Sequence, residues 1–280
     1  MIQFFIDIFN PDMVFLMYAT LIGIFASFAF GIMGTFVVIK RVSFIAGAIS
    51  HCILGGIGLG MYLNKVHEIT WMTPQIGAIL MAIFSALLIG YFTIYYKERE
   101  DTLIGALWAF GMAIGLILIY YTPGYTDPMS YLFGSILMVG LEDLITVIIL
   151  DILVLTITIL FFNKFVSICF DEEFARLRGI NTRFYYILLL VLIAITVVML
   201  INVVGIVMIV AMLTIPSGIA SVLSKNIKSM IIYSILISLF TVITGLAISY
   251  EINAPSGPVI IILSSIIYFI AIVFLRKRIF

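Results

Sequence analysis

Apolar residues fall along this chain in long runs, not in the alternating or one-faced patterns of a soluble fold. The run "VFLMYATLIGIFASFAFGIMGTFVVI" ends at two basic residues, a second apolar run begins at once, and the pattern repeats to the end of the chain. A stretch of 18 or more apolar residues with few charges reads as a membrane-crossing helix. The pattern predicts spans near 13–38, 44–62, 75–96, 103–121, 144–162, 184–201, 203–222, 229–249 and 258–275. That makes nine, within a range of eight to ten, because "INVVG" (201–205) leaves almost no loop between two spans. "MSYLFGSILMVG" (129–140) is too short to cross and is expected to re-enter the membrane or lie on it. "QFFIDIFN" is expected as a short surface helix ended by Pro11. The fold class is an all-α integral-membrane bundle, a single transmembrane domain over 1–280.

Composition sharpens this reading. The chain is 64% hydrophobic and 10% charged, against roughly a quarter charged in soluble proteins. Its net charge is zero, so nothing suggests a nucleic-acid partner. Cys52 and Cys169 stand far apart and form neither a disulfide framework nor a CxxC motif. The first residues lack the basic region and cleavage site of a removable signal peptide.

Basic residues are retained on the cytoplasmic side of a membrane. With nine spans, 13 of the 14 Lys and Arg residues fall on one face, including Lys40, Arg41, Lys97, Arg99, Lys225 and Lys228; Lys65 alone falls on the other. An even count would scatter them. The expected placement is a cell (plasma or inner) membrane, N-terminus outside and C-terminus in the cytoplasm.

One loop on the basic face is longer than the rest, "NKFVSICFDEEFARLRGINTR" (163–183). Asp171, Glu172 and Glu173 open a helix, Arg176 and Arg178 close it, and Gly179 can cap its C-terminus. Acid first and base last is the order the helix dipole favours. Phe174 and Leu177, three apart, share a face. Such a helix either rests on the membrane or docks a cytoplasmic partner. The second reading matters because the chain has no GxxxxGK[ST] phosphate loop; ATP-driven work would need a separate ATPase.

Ionisable residues inside the bilayer are costly and face a cavity, a partner or a pathway. His51 follows Arg41 by ten residues, about 15 Å along a helix and near mid-membrane. Asp151 lies eight residues inside Asp143, about 12 Å from the other face. Positions four away from His51 share its helix face, and both are blank: Gly47 and Gly55. A metal on His51 would take its other ligands from other helices, a second copy or water. The glycines around it, Gly56, Gly58 and Gly60 included, suit close helix packing and leave room for a pathway. In "TIPSGIAS" (214–221), Pro216 and Gly218 inside a span imply a broken helix or hinge. "NAPSGP" (253–258) reads as a rigid outer turn, and His67 with Glu68 as part of an outer loop.

Taken in order, these motifs resemble the integral-membrane permeases of the ABC-3 metal-importer family over almost the whole chain. "SFIAGAISHCILGGIGLG" is similar to the family's second-helix signature, "EDTLIGALWAFGMAIGLILI" to its Asp-Thr-x-x-Gly segment and "SYLFGSIL" to its Tyr-Leu-Phe-Gly motif. "FDEEFARLRGINT" resembles its ATPase-docking loop and "VGIVMIVAMLTIPSGIA" its Val-Gly…Pro span. The resemblance implies a homodimeric permease with a cytoplasmic ABC ATPase dimer and an extracytoplasmic metal-binding protein. It also implies inward passage of zinc or manganese, or of iron, along the dimer interface, with no permanently bound cofactor. The family's second helix commonly carries Asp four residues before the His; here that position is Gly47. Asp151, at comparable depth, is the candidate to replace it, from the same or the opposite subunit. The rival readings are a secondary transporter driven by a proton or sodium gradient, an intramembrane hydrolase with His51 as base, and a structural scaffold.

Overall fold

The structure, a computed structural model, describes residues 2–96, 100–124, 132, 134, 136 and 139–276. Lys97, Arg99, Lys277 and Arg278, and most of the 129–140 segment expected to re-enter the membrane, lie outside the described residues. Among the described residues, nine helices are long and apolar enough to cross a membrane. In chain order the helices are α1 (Ile2–Asp7), α2 (Val14–Ile39), α3 (Ser43–Val66), α4 (Pro74–Tyr95), α5 (Glu100–Tyr121) and α6 (Leu141–Phe170). Then follow α7 (Glu172–Leu177), α8 (Thr182–Val204), α9 (Ile206–Leu223), α10 (Ile227–Ile252) and α11 (Ser256–Arg276). A chain in hydrocarbon has no water to satisfy its backbone, so the apolar runs close their hydrogen bonds internally as helices.

Two central helices organise the bundle. α3 is the most enclosed span, 83% buried, and packs between α4 and α5. α2 is 72% buried and packs against α6, α9 and α10. Lipid is as apolar as leucine, so helices in a membrane gain little from burial as such and gain most from close backbone approach. The α3 glycines provide that approach on two sides. Gly55 and Gly58 lie against Gly111 and Gly115 of α5, while Gly56 and Gly60 lie against Gly77, Thr73 and Pro74 at α4. A Cβ on Gly55 would stand 2.9 Å from the Gly111 carbonyl oxygen, and one on Gly56 2.6 Å from the Met81 Cβ. α5 and α11 are the least covered spans, 22% and 17% buried.

Two expectations need correction. The 163–183 segment is not a long loop: α6 continues to Phe170, a 30-residue helix, and leaves a short helix and two tight turns. α9 is not broken at Pro216 but runs without interruption from Ile206 to Leu223. The break falls at Gly205, whose φ of 80° and ψ of 157° end α8 and start α9 in one residue. That backbone region is open essentially to glycine alone, and Gly134 packs on the same backbone, where a Cβ on Gly134 would meet the Gly205 nitrogen. Pro216 is buried inside the helix, and Gly218 faces the ring of Tyr268 on α11, where a Cβ would stand 3.2 Å from Cε2.

Hydrogen bonds tie down both the N-terminal helix and the turn after α10. α1 is anchored by wholly buried Phe4 and by Asp7, which accepts a 2.8 Å bond from the Tyr250 hydroxyl on α10. At "NAPSGP" Asn253 adopts the left-handed conformation, and the Ser249 hydroxyl donates to the Ala254 carbonyl at 2.6 Å, which ties the turn to the end of α10.

Candidate functional site

His51 sits about a third of the way along α3, on the side facing α5. Its imidazole stacks on the indole of Trp108 with ring centroids 4.1 Å apart and planes 16° apart. Trp108 also covers Gly47: a Cβ there would stand 3.3 Å from the indole Cζ3 and 3.8 Å from Cη2. The blank one turn before His51 is therefore filled by an aromatic ring from the next helix. The His51 Nδ1 is buried without a hydrogen-bond partner. A metal-binding histidine ordinarily donates its second ring nitrogen to a carboxylate or carbonyl, which fixes the ring. Here the flat face of Trp108 lies against the ring instead, and because metals bind in the imidazole plane, stacking does not itself occupy the nitrogen edges.

Cys52, next in sequence, is already engaged: its thiol donates to the Leu107 carbonyl of α5 at 3.1 Å. Among the described residues no three or more His, Cys, Asp or Glu side chains converge in the manner of a closed metal site. A cation at His51 would be held by one imidazole, with its remaining ligands from sparse groups on other helices, from a second copy or from water, an arrangement suited to passage and unsuited to storage.

Asp151 does not complete this site within the subunit. It lies on α6 and lines a cavity of about 220 Å³ with Phe25, Phe28 and Ile32 of α2. Both carboxylate oxygens are buried without a hydrogen-bond partner. His51 faces α5, Asp151 faces α2, and α3 and α6 are not among the helix pairs packed on each other at length. Depth along a helix is readable from sequence, but the direction in which a side chain points depends on packing, and here packing separates the two residues.

At the Lys40 end of the bundle, α7 is built as its sequence predicts. Asp171 is the N-cap, its Oδ1 accepting the Phe174 N–H at 2.8 Å, and Glu172 and Glu173 occupy the first turn. At the other end the Gly179 N–H bonds the Arg176 carbonyl at 2.9 Å and the Ile180 N–H bonds the Ala175 carbonyl at 3.1 Å. This is the paired-bond stop that needs a left-handed residue after the helix, and Gly179 supplies it with φ 76°; the cap residue itself is Arg178. Ala175 points inward and is fully buried, so Phe174 and Leu177 point out, 52% and 87% exposed. The Arg178 guanidinium lies 5.0 Å over the Phe174 ring. Lys40 ties the helix to the end of α2, donating to the Ile168 carbonyl at 2.9 Å and meeting Glu172 at 3.3 Å.

Two residues here were invisible to sequence reasoning. Trp108 carries no charge and reads as one more apolar position in "GALWAFG". Lys40 reads as a topogenic charge, yet it joins the end of α2 to α6 and α7, about 130 positions away in the chain. The single available signal for Trp108 was its rarity, as one of two tryptophans in the chain.

Comparisons with known proteins agree with this architecture. Residues 12–275 match the model of the ABC 3 transport family. The chain is 42% identical over 244 residues to a probable metal transport system membrane protein of Chlamydia pneumoniae, covering 87% of this chain and 83% of that one. It is 32% identical over 278 residues to the manganese import system permease protein ScaB of Streptococcus gordonii, covering 99% and 97%. Among solved structures it is similar to PsaBC from Streptococcus pneumoniae in complex with Fab, with a TM-score of 0.85, 30% identity, and 97% and 95% of the two chains covered.

Proposed function

The chain belongs to the ABC 3 transport family, and from that premise we propose that it imports a divalent transition metal as the membrane-spanning part of an ATP-driven transporter. Manganese is the first candidate cargo, with zinc and iron as competitors. The protein works as a homodimer in the cell membrane, N-terminus outside and C-terminus in the cytoplasm. A separate cytoplasmic ATPase dimer hydrolyses ATP, and an extracytoplasmic metal-binding protein delivers the ion. The observation that carries the cargo assignment is the chain-long similarity to ScaB, whose name states manganese import.

The geometry supports a division of labour. His51 offers the ion a mid-membrane imidazole held in plane by Trp108, with the remaining ligands drawn from the second copy and from water. A lone imidazole with oxygen ligands suits manganese and does not trap it, whereas a thiolate would favour softer ions, and the Cys52 thiol is turned away to the Leu107 carbonyl. Phe174 and Leu177 present an apolar knob to the ATPase. Lys40 passes a displacement of α7 to α2, and α6 carries it by direct continuation. Asp171, Glu172, Arg176 and Arg178 shape and flank the knob.

The test is accumulation of radioactive manganese by cells expressing this chain with its ATPase and delivery protein, with unlabelled zinc and iron as competitors. Uptake should stop when the ATPase is removed and in His51→Ala. Uptake that survives loss of the ATPase and stops with an uncoupler overturns the reading in favour of the gradient-driven alternative.

A further inference from the structure

Away from His51, which faces α5, the bundle carries a second candidate site on α2. A groove of about 670 Å³ runs between α2, α6 and α10, walled by Phe28, Ile32, Leu155, Ile159, Ile231 and Ile235. At one end it joins the 220 Å³ cavity that reaches Asp151, through shared walls at Phe28, Ile32 and Leu155. At the other it joins a 540 Å³ cavity through Phe162 and Lys228, and opens on Lys225 and Asn226. From Asp151 to Asn163 the α6 wall spans twelve residues, about 18 Å of helix. One leaflet of a bilayer has about 15 Å of hydrocarbon. The groove therefore starts at the polar boundary and ends near mid-membrane.

Its two ends differ in chemistry. The mouth carries Lys225 and Lys228, with Asn163 and Asn226 beside them, and no carboxylate lines this stretch. The Lys228 ammonium is drawn over the Phe162 ring, 5.9 Å from its centre, which keeps the charge at the mouth. The start of α10 at Ile227 adds the positive end of a 26-residue helix dipole to the same place. Below the mouth the walls are apolar side chains of α2, α6 and α10, with buried Thr158 among them.

We infer that this groove binds one anionic phospholipid of the leaflet on the Lys225 side, with the phosphate on Lys225 and Lys228 and an acyl chain laid between α2 and α6. Basic clusters at the membrane boundary attract anionic headgroups, at about fivefold in affinity for each lysine near the surface. The charge selects the headgroup, and the leaflet-deep apolar trough supplies the length. Because the groove borders α2 and α6, the helices to which α7 is tied through Lys40, the bound lipid braces the elements that move with the docking helix.

The experiment is native mass spectrometry of the purified full chain titrated with phosphatidylglycerol or phosphatidylcholine. One phosphatidylglycerol should be retained per chain in preference to phosphatidylcholine, and Lys225→Ala with Lys228→Ala should reduce that preference at least tenfold. Thr158→Trp, which fills the trough without altering charge, should lower retention of both lipids. Equal retention of the two lipids by the unaltered chain overturns the proposal, as does an undiminished preference in the double lysine variant. Ile159→Cys gives a third outcome: disulfide-linked dimers in native membranes would mean that a second copy covers the face, and would also overturn it.

Discussion

Replacing Trp108 with alanine separates the role of the stacked ring from that of His51 itself. The stack has centroids 4.1 Å apart and planes 16° apart, and aromatic pairs of this kind contribute about 0.5–1.5 kcal/mol beyond simple burial. If the ring holds the imidazole in the plane that a cation needs, that energy is lost from metal binding, a factor of about 2 to 13 in affinity. Trp108→Ala should raise the manganese concentration for half-maximal binding by that factor, measured by competition with a metallochromic chelator, and Trp108→Phe should recover most of the loss. Gly47 provides the cross-check. A Cβ at position 47 stands 3.3 Å from the indole Cζ3, so Gly47→Asp in the unaltered chain must push the ring aside before its carboxylate can serve His51 one turn away. Once Trp108 is alanine that obstacle is gone, and Gly47→Asp should strengthen binding more in that background than alone. Contacting residues are expected to be non-additive in this manner. Unchanged affinity in Trp108→Ala, or the same effect of Gly47→Asp in both backgrounds, would refute the orienting role.

The remaining predictions concern packing, backbone and docking. Gly56→Ala puts a methyl 2.6 Å from the Met81 Cβ and should cost about 1–3 kcal/mol, seen as a lower melting temperature in detergent. Gly105→Ala meets nothing within 4 Å and should be neutral or stabilising by up to about 1 kcal/mol; equal effects of the two would refute the close-approach account of the α3 glycines. Gly205→Ala forces a side chain into φ 80° and ψ 157°, at about 1–3 kcal/mol, so its melting temperature should fall although the residue is at a helix junction and adds one carbon. Phe174→Asp charges an exposed knob on a capped helix, and an aromatic anchor of an interface is worth about 2 kcal/mol or more. Co-purification of the ATPase should be lost while the melting temperature stays within a degree or two. Retained co-purification would count against docking through this face.

Much of the molecule is determined by sequence alone, because the membrane enforces one-dimensional rules. A helix is the one open-chain structure that satisfies its backbone in hydrocarbon, so apolar run length is enough to place nine spans, and the observed spans follow the expected ones to within a few residues at most ends. The α7 cap residues act on backbone groups two to four positions away, so Asp171 and Gly179 were legible too. Local strain was less so: Pro216 reads as a second break, yet a helix held between α10, α11 and α2 tolerates a missing N–H, while the gap expected within "INVVG" falls at Gly205. The glycine-rich stretch around His51 was readable as a packing surface, but its partners on α4 and α5 were not. What tertiary structure alone decided is which side chains meet. Trp108 reached His51 from a helix about 57 positions away, Lys40 reached Glu172 across 132, and Asp151 turned to α2. Depth is set by distance along one helix from the membrane boundary. Direction is set by how helices rotate to bring glycine against glycine, and that depends on every neighbour at once.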